Sequence, residues 1–184
     1  MPHSLLPNGS STIAISAIAL FITISTLAPV QSQEKKIPSE SLFSANRIAT
    51  IEIEIPQKDW DFIRKQSRSF SEALGKETAE SPFDYVKGDV TIDGQKIEDI
   101  GIRKKGFLGS LNVDRPSLKL KFDKYREQDP IDGLNRLTLN NNNQDPSRVC
   151  QYLSYKLFRE SGTRSPRCGF AKVSVNGKYL GIYS

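Results

Sequence analysis

The sequence is short of the side chains that most often carry catalysis. Its 184 residues include one histidine, His3, together with one methionine, one tryptophan and two cysteines. His3 stands ahead of "IAISAIALFITISTLAPV", Ile13 to Val30, an uncharged run followed by the charged "QSQEKK". That run, with a proline near its end and small residues at the −3 and −1 positions (Val30 and Ser32), has the form of an export signal cleaved after Ser32. The leading "MPHSLLPNGSST" carries no Lys or Arg, so an uncleaved N-terminal anchor, at the lower margin of spanning length, is the alternative. A lipid anchor is not expected, because no cysteine lies near the cleavage position. Cleavage would remove the single histidine and no charged residue, leaving a net charge of 26 − 21 = +5. A chain without histidine builds neither a Ser-His-Asp nor a Cys-His site, nor a His-ligated zinc centre. A general base would then be a carboxylate, a lysine, a tyrosine or a thiolate.

Two cysteines in an exported chain invite a disulfide, and the helix signal between them argues against one. Cys150 falls near the start of that helix and Cys168 beyond its end at Gly162, a separation on the order of 15 Å. A bridge needs Cα atoms within about 7 Å, so both thiols are expected free. Repeats of solenoid length are also missing. The hydrophobic fraction of 37% with 26% charged residues is that of an ordinary globular chain, and the length suits one domain.

Gln33 to Asn46 is polar and aperiodic and reads as a linker, with the fold running from Arg47 to Ser184. "IATIEIEI" alternates isoleucine with glutamate at the period of a half-buried strand. "QKDWDFIRKQSRSFSEAL" then places Trp60, Ile63 and Phe70 at helical spacing, with Trp60 in the core. Asp93-Gly94 and Asn176-Gly177 mark two hairpins. Between them, Ser117, Lys119 and Lys121 share one face of a strand while Leu118, Leu120 and Phe122 share the other. A further strand at Arg136 to Leu139 leads into Asn140, Asn141, Asn142 and Asn143. Asp145 with Pro146 then reads as a helix start, and Val149, Leu153, Leu157 and Phe158 as its buried stripe. The order predicts an α+β fold, a mostly antiparallel sheet with two helices. The last strand runs to Ser184 with no following partner, which suggests a piece missing at the C-terminus.

Chemistry is suggested at one place, where Arg103, Lys104 and Lys105 precede the turn Gly106-Phe107-Leu108-Gly109-Ser110 and Lys119 follows on a strand. Backbone N–H groups near glycines approach phosphate oxygens closely, and strand lysines supply fixed charge. The turn matches neither a Walker loop nor a Gly-x-Gly-x-x-Gly loop, and a hairpin turn flanked by solvated lysines has the same spacing.

"IGIRKKGFLGS", "RPSLKLKF", "GLNRLTLNNNNQDPS", "YLSYKLFRESG" and "VSVNGKYLGIYS", in this order, resemble the N-terminal half of the spore coat protein H (CotH) kinase-like family. The resemblance runs from about Ile48 to Ser184. It implies an atypical protein-kinase-like fold that transfers phosphate from ATP, with Mg2+, to Ser residues of secreted or coat proteins. It implies nucleotide contacts from Arg103, Lys105, Gly106, Gly109, Ser110 and Lys119, with Lys121 as a neighbour on the same face. Of the asparagines, Asn140 or Asn141 is expected to hold main chain in place. In the family the last strand continues into a lobe carrying metal-binding and catalytic aspartates, so this chain is expected to lack catalytic residues and to be inactive alone. The contrasting reading is a noncatalytic exported module whose basic face meets an acidic protein or polysaccharide. Nucleic acid is not an expected partner of an exported chain, and a membrane is one only if the N-terminal segment stays attached.

Overall fold

The computed structural model describes residues 36–69, 82–107 and 109–184. The expected export signal, Phe70 and Leu108 lie outside the described residues. Among those described, no helix is long and apolar enough to cross a membrane.

Seven strands form one mixed sheet: β1 (Ile48–Glu54), β2 (Val86–Ile92), β3 (Gln95–Lys105), β4 (Ser117–Lys121), β5 (Arg136–Leu139), β6 (Phe170–Val175) and β7 (Lys178–Tyr183). Their spatial order is β5-β4-β3-β2-β1-β6-β7. All neighbours are antiparallel except β1 and β6, which run parallel from Ile48↔Phe170 to Ile53↔Val175. The helices are α1 (Ser39–Leu42), α2 (Gln57–Lys65) and α3 (Cys150–Glu160). This is the α+β architecture the sequence predicts.

The Ile/Glu alternation of β1 places Ala49, Ile51 and Ile53 in the core and Glu52 and Glu54 outside. Both hairpin turns grip this strand. Asp93 and Gly94 have φ of 50° and 85°, and Asn176 and Gly177 have 50° and 77°, the left-handed pair that a two-residue turn needs. Asp93 Oδ1 accepts from the Thr50 N–H at 2.9 Å, and the Asn176 amide bonds both the N–H and the C=O of Ile55 at 3.0 and 2.9 Å. The sheet's two edges meet at one end. Asn140, just after β5, and Ser184, just after β7, exchange both main-chain hydrogen bonds, at 2.7 and 3.1 Å.

Four expectations are corrected. The segment read as a linker is structured from Lys36: Ile37 bridges Ile131, and Ile37 and Leu42 are buried in the core. α2 ends at Lys65, so Gln66 to Ser69, part of the stretch read as helical, lie outside it. α3 begins at Cys150 and not after Asp145, because Arg148 adopts φ of 61°, outside any helix. The α3 stripe is exposed, with Leu153 55% and Leu157 64% accessible, and the side turned to the sheet carries Gln151, Tyr152 and Tyr155. Tyr152 packs on Phe170 with ring centroids 5.2 Å apart.

Lys104 is a core lysine. It is 1% exposed, and its ammonium donates to the carbonyls of Arg64 and Gln66, at 2.6 and 2.7 Å, where α2 ends. A cation there satisfies orphan carbonyls and meets the negative end of the helix dipole. Burial pushes its pKa below the ordinary lysine value. Lys104→Met should lower unfolding free energy by about 1–3 kcal/mol, the cost of leaving buried carbonyls unpaired, as read from urea denaturation. An unchanged midpoint would show that α2 does not depend on this lysine.

Candidate functional site

A cleft of about 490 Å³ opens where β3 turns into β4 and the asparagine run passes beneath α3. Strand alternation assigns the basic residues of β3 to different tasks. Lys104 points to α2, and Arg103 and Lys105 point to the opposite face, where cross-strand pairing sets Arg103 against Lys119 and Lys105 against Ser117. Arg103, Lys105 and Lys119 all line the cleft. The Arg103 guanidinium lies 5.1 Å from the centre of the Tyr85 ring. Neither Lys105 nor Lys119 makes an ion pair with a described residue, whereas Lys121, outside the cleft, has Asp123 3.8 Å away. The pKa of Lys105 is pushed down, first by burial and then by the charges of Lys119 and Arg103. Like charges on facing strands repel, so the sheet holds this group together against its own electrostatics.

The turn after β3 is built by its own hydroxyl. Ser110 Oγ accepts from the Phe107 N–H and donates to the Phe107 carbonyl, both at 2.8 Å. Gly106 and Ser110 line the cleft, and Gly109 does not. Gly109 has φ of 82°, and a Cβ there would fall 2.3 Å from Gln144 Nε2, so this glycine lets the turn lie against the asparagine run.

Three of the four asparagines fasten that loop. Asn141, 1% exposed, donates from Nδ2 to the carbonyls of Ser110 and Arg115 at 3.2 and 2.7 Å, while its N–H reaches Ser117 Oγ at 3.0 Å. Asn143 donates to the Gly109 carbonyl at 3.0 Å, and Asn140 links Ser117 to Gln151 of α3. Asn142 differs. Its backbone is left-handed, with φ of 50°, its Oδ1 accepts from Ser184 Oγ at 3.0 Å, and its buried Nδ2 has no hydrogen-bond partner among the described residues.

Asp145 is the one carboxylate among the described lining residues. Its oxygens accept from the Ser147 N–H and Oγ and from the Cys150 N–H, at 3.0, 2.6 and 2.8 Å. It therefore caps α3 from five residues upstream. These bonds, led by the Ser147 hydroxyl, lower its pKa to about 2. Cys150 and Cys168 are both free, as their separation predicts, the first exposed and the second buried.

The structure thus gathers Arg103, Lys105, Gly106, Ser110 and Lys119 around one cleft and gives Gly109 a packing role. Sequence reasoning did not find Asn142, Gln151, Cys150 or Arg68 as lining residues. The asparagine run was a usable signal for the first; nothing in the local sequence marks Arg68.

Asn141→Ala should destabilise the fold by about 1–3 kcal/mol, because two buried carbonyls lose their donor. Asn141→Asp should cost more, since a carboxylate would face the same two oxygens; urea denaturation reads both. For Asp145 the folded pKa lies below the unfolded 3.8, so its stabilising share is fully present above 3.8 and lost as pH falls through about 2. The stability gap between wild type and Asp145→Asn should therefore be widest near neutral pH and close in strong acid. A gap independent of pH would show that the cap does not act through its charge.

No curated protein matches this chain. A family model described as CotH kinase protein matches residues 102–184, from the second half of β3 to Ser184. That span carries Arg103, Lys105, Lys119, the glycine turn and all four asparagines. Over residues 102–184, the segment that builds most of the cleft, the chain is similar to the CotH kinase family.

Proposed function

We propose that this cleft holds the phosphates of ATP, and that the chain is the phosphate-binding part of an exported CotH-type protein kinase acting on Ser residues of secreted or coat proteins. The observation that carries this reading is the pair of lysines without ion-pair partners among the described residues, Lys105 and Lys119, fixed on adjacent strands beside a glycine turn. Strand-held ammonium groups are positioned before the ligand arrives, so little ordering entropy is lost on binding. The volume of about 490 Å³ lies within the range of small-molecule sites, about 300–1,000 Å³. The Asn142 Nδ2, without a hydrogen-bond partner among the described residues, adds a donor at the cleft wall that a phosphate oxygen would satisfy after a small side-chain movement.

Magnesium fits less well. Among the described residues no group of three or more His, Cys, Asp or Glu could hold a metal ion, and Asp145 is committed to α3. Asp93 holds Thr50 and Arg47, and Glu52 and Glu54 face outward from β1. The chain's own share of the reaction is to bind and orient phosphate, with Mg2+ arriving on the nucleotide and its carboxylate ligands supplied from outside the described residues. Export rests on the N-terminal segment, and contact with a membrane on that segment remaining attached.

The formal charge of +5 favours a second reading, an exported noncatalytic module that binds acidic protein or polysaccharide. Calorimetry with ATP separates the two. Lys119→Ala should weaken binding at least fivefold more than Lys124→Ala, about 1 kcal/mol, because the Lys124 ammonium lies outside the cleft over the Tyr85 ring at 5.6 Å. Equal losses, accompanied by a steep fall of all polyanion binding with salt, would support the second reading and remove the phosphate site.

A further inference from the structure

A second cavity, of about 400 Å³, lies beside the cleft between α3 and the strands β5 and β6. Most of its walls are apolar, with Phe43, Leu134, Leu137, Tyr155 and Phe170 among them. Its polar lining has one sign of charge: Lys105, Arg136 and Arg167 are present, and no Asp or Glu lines it among the described residues. Arg167 is engaged, with Glu40 at 2.7 Å and its guanidinium over the Phe43 ring at 4.6 Å. Lys105 makes no ion pair with a described residue, and it lines both the cleft and this cavity.

We propose that this cavity binds an amphipathic anion, a medium- or long-chain carboxylate, with its hydrocarbon chain between α3 and the sheet and its head group on Lys105. Apolar walls make the space a poor home for ordered water, which needs two or more polar partners, and a good one for hydrocarbon. Its volume suits a small molecule. The shape arises because α3 turns its Leu153 and Leu157 outward and presents Gln151 and Tyr155 to the sheet, leaving the space beneath unfilled. A carboxylate is favoured over a neutral lipid because Lys105 is crowded by Lys119 and Arg103, and an anion relieves that repulsion. It is favoured over a phosphate alone because only a chain uses the apolar walls. The site stands apart from the nucleotide reading and shares one side chain with it, so the two ligands would compete for Lys105.

The test uses the full chain and a polyene fatty acid whose fluorescence rises in apolar surroundings, below its micelle concentration. Saturable one-to-one binding is expected, with the alkanol of equal chain length bound at least tenfold more weakly. Lys105→Gln should weaken the carboxylate about tenfold and leave the alkanol unchanged, while Leu137→Trp, which fills the cavity, should weaken both. ATP added to wild type should reduce fatty-acid binding. Absence of binding to folded wild type, equal binding of acid and alkanol, or indifference to both substitutions would each overturn the proposal. Fatty-acid binding that survives in Lys119→Ala while ATP binding is lost would separate this site from the phosphate site. A wild type that binds the fatty acid and not ATP would leave the carboxylate site standing and remove the nucleotide reading.

Discussion

The buried amide of Asn141 is the interaction on which the cleft depends. The connection from β3 to β4 is an irregular loop whose carbonyls point inward, and main chain of that kind needs donors that no strand neighbour can provide. One side chain supplies them at two places, Ser110 and Arg115, which fixes the glycine turn and the entry to β4 together. Arg115 in turn spreads over Tyr183, 4.9 Å from the ring centre, and the Tyr183 hydroxyl donates to the Pro116 carbonyl at 3.1 Å. The last strand, the loop and the asparagine run are thus one hydrogen-bonded unit. Partial satisfaction of such a network would be costly, because Asn141 and Tyr183 at its centre are buried away from water that could replace a lost partner.

The same geometry sorts three consecutive basic residues by function. Strand alternation sends Lys104 to the α2 side and Arg103 and Lys105 to the other, and chain order alone decides which cation serves the fold. Lys104 finds carbonyl oxygens. Lys105 finds two more cations and makes no ion pair with a described residue, an arrangement that costs stability and is tolerable because the core built by Ile102, Leu118 and Leu120 carries the strands regardless.

Much of the sheet was legible in the sequence because its signals are local. The alternation of β1 and the two turn dipeptides Asp93-Gly94 and Asn176-Gly177 each fix backbone conformation within a few residues. The failures have a common origin in non-local choice. The apolar period of α3 marks a helix face but does not say that this chain covers it, and Tyr152 packing on Phe170 sets the helix rotation instead. Asp145 carries the signature of a helix cap, and the left-handed Arg148 displaces the helix start while the carboxylate still reaches the Cys150 N–H. Ile37 and Leu42 sit among polar neighbours that hide their burial. At the site, Lys105 and Lys119 were visible through strand spacing, and Asn142 was visible only as one of four identical letters.

That last ambiguity has a physical resolution in what each asparagine can reach. Asn140, Asn141 and Asn143 point at carbonyls or side chains of the neighbouring loop and helix, so their amides are consumed by the fold. Asn142, between them, is turned by its left-handed backbone toward Ser184, where only its oxygen finds a partner. A glycine would take that backbone without strain and without an orphaned donor. Among the described residues the fold therefore carries at Asn142 a cost that its packing does not recover, and the cost falls at the wall of the cleft where Lys105 and Lys119 stand without ion pairs to any of them. Among the described residues, two kinds of unmet polar demand, charge on the strands and an N–H in the loop, belong to the lining of one cleft, and an oxyanion is the simplest chemistry that would answer both.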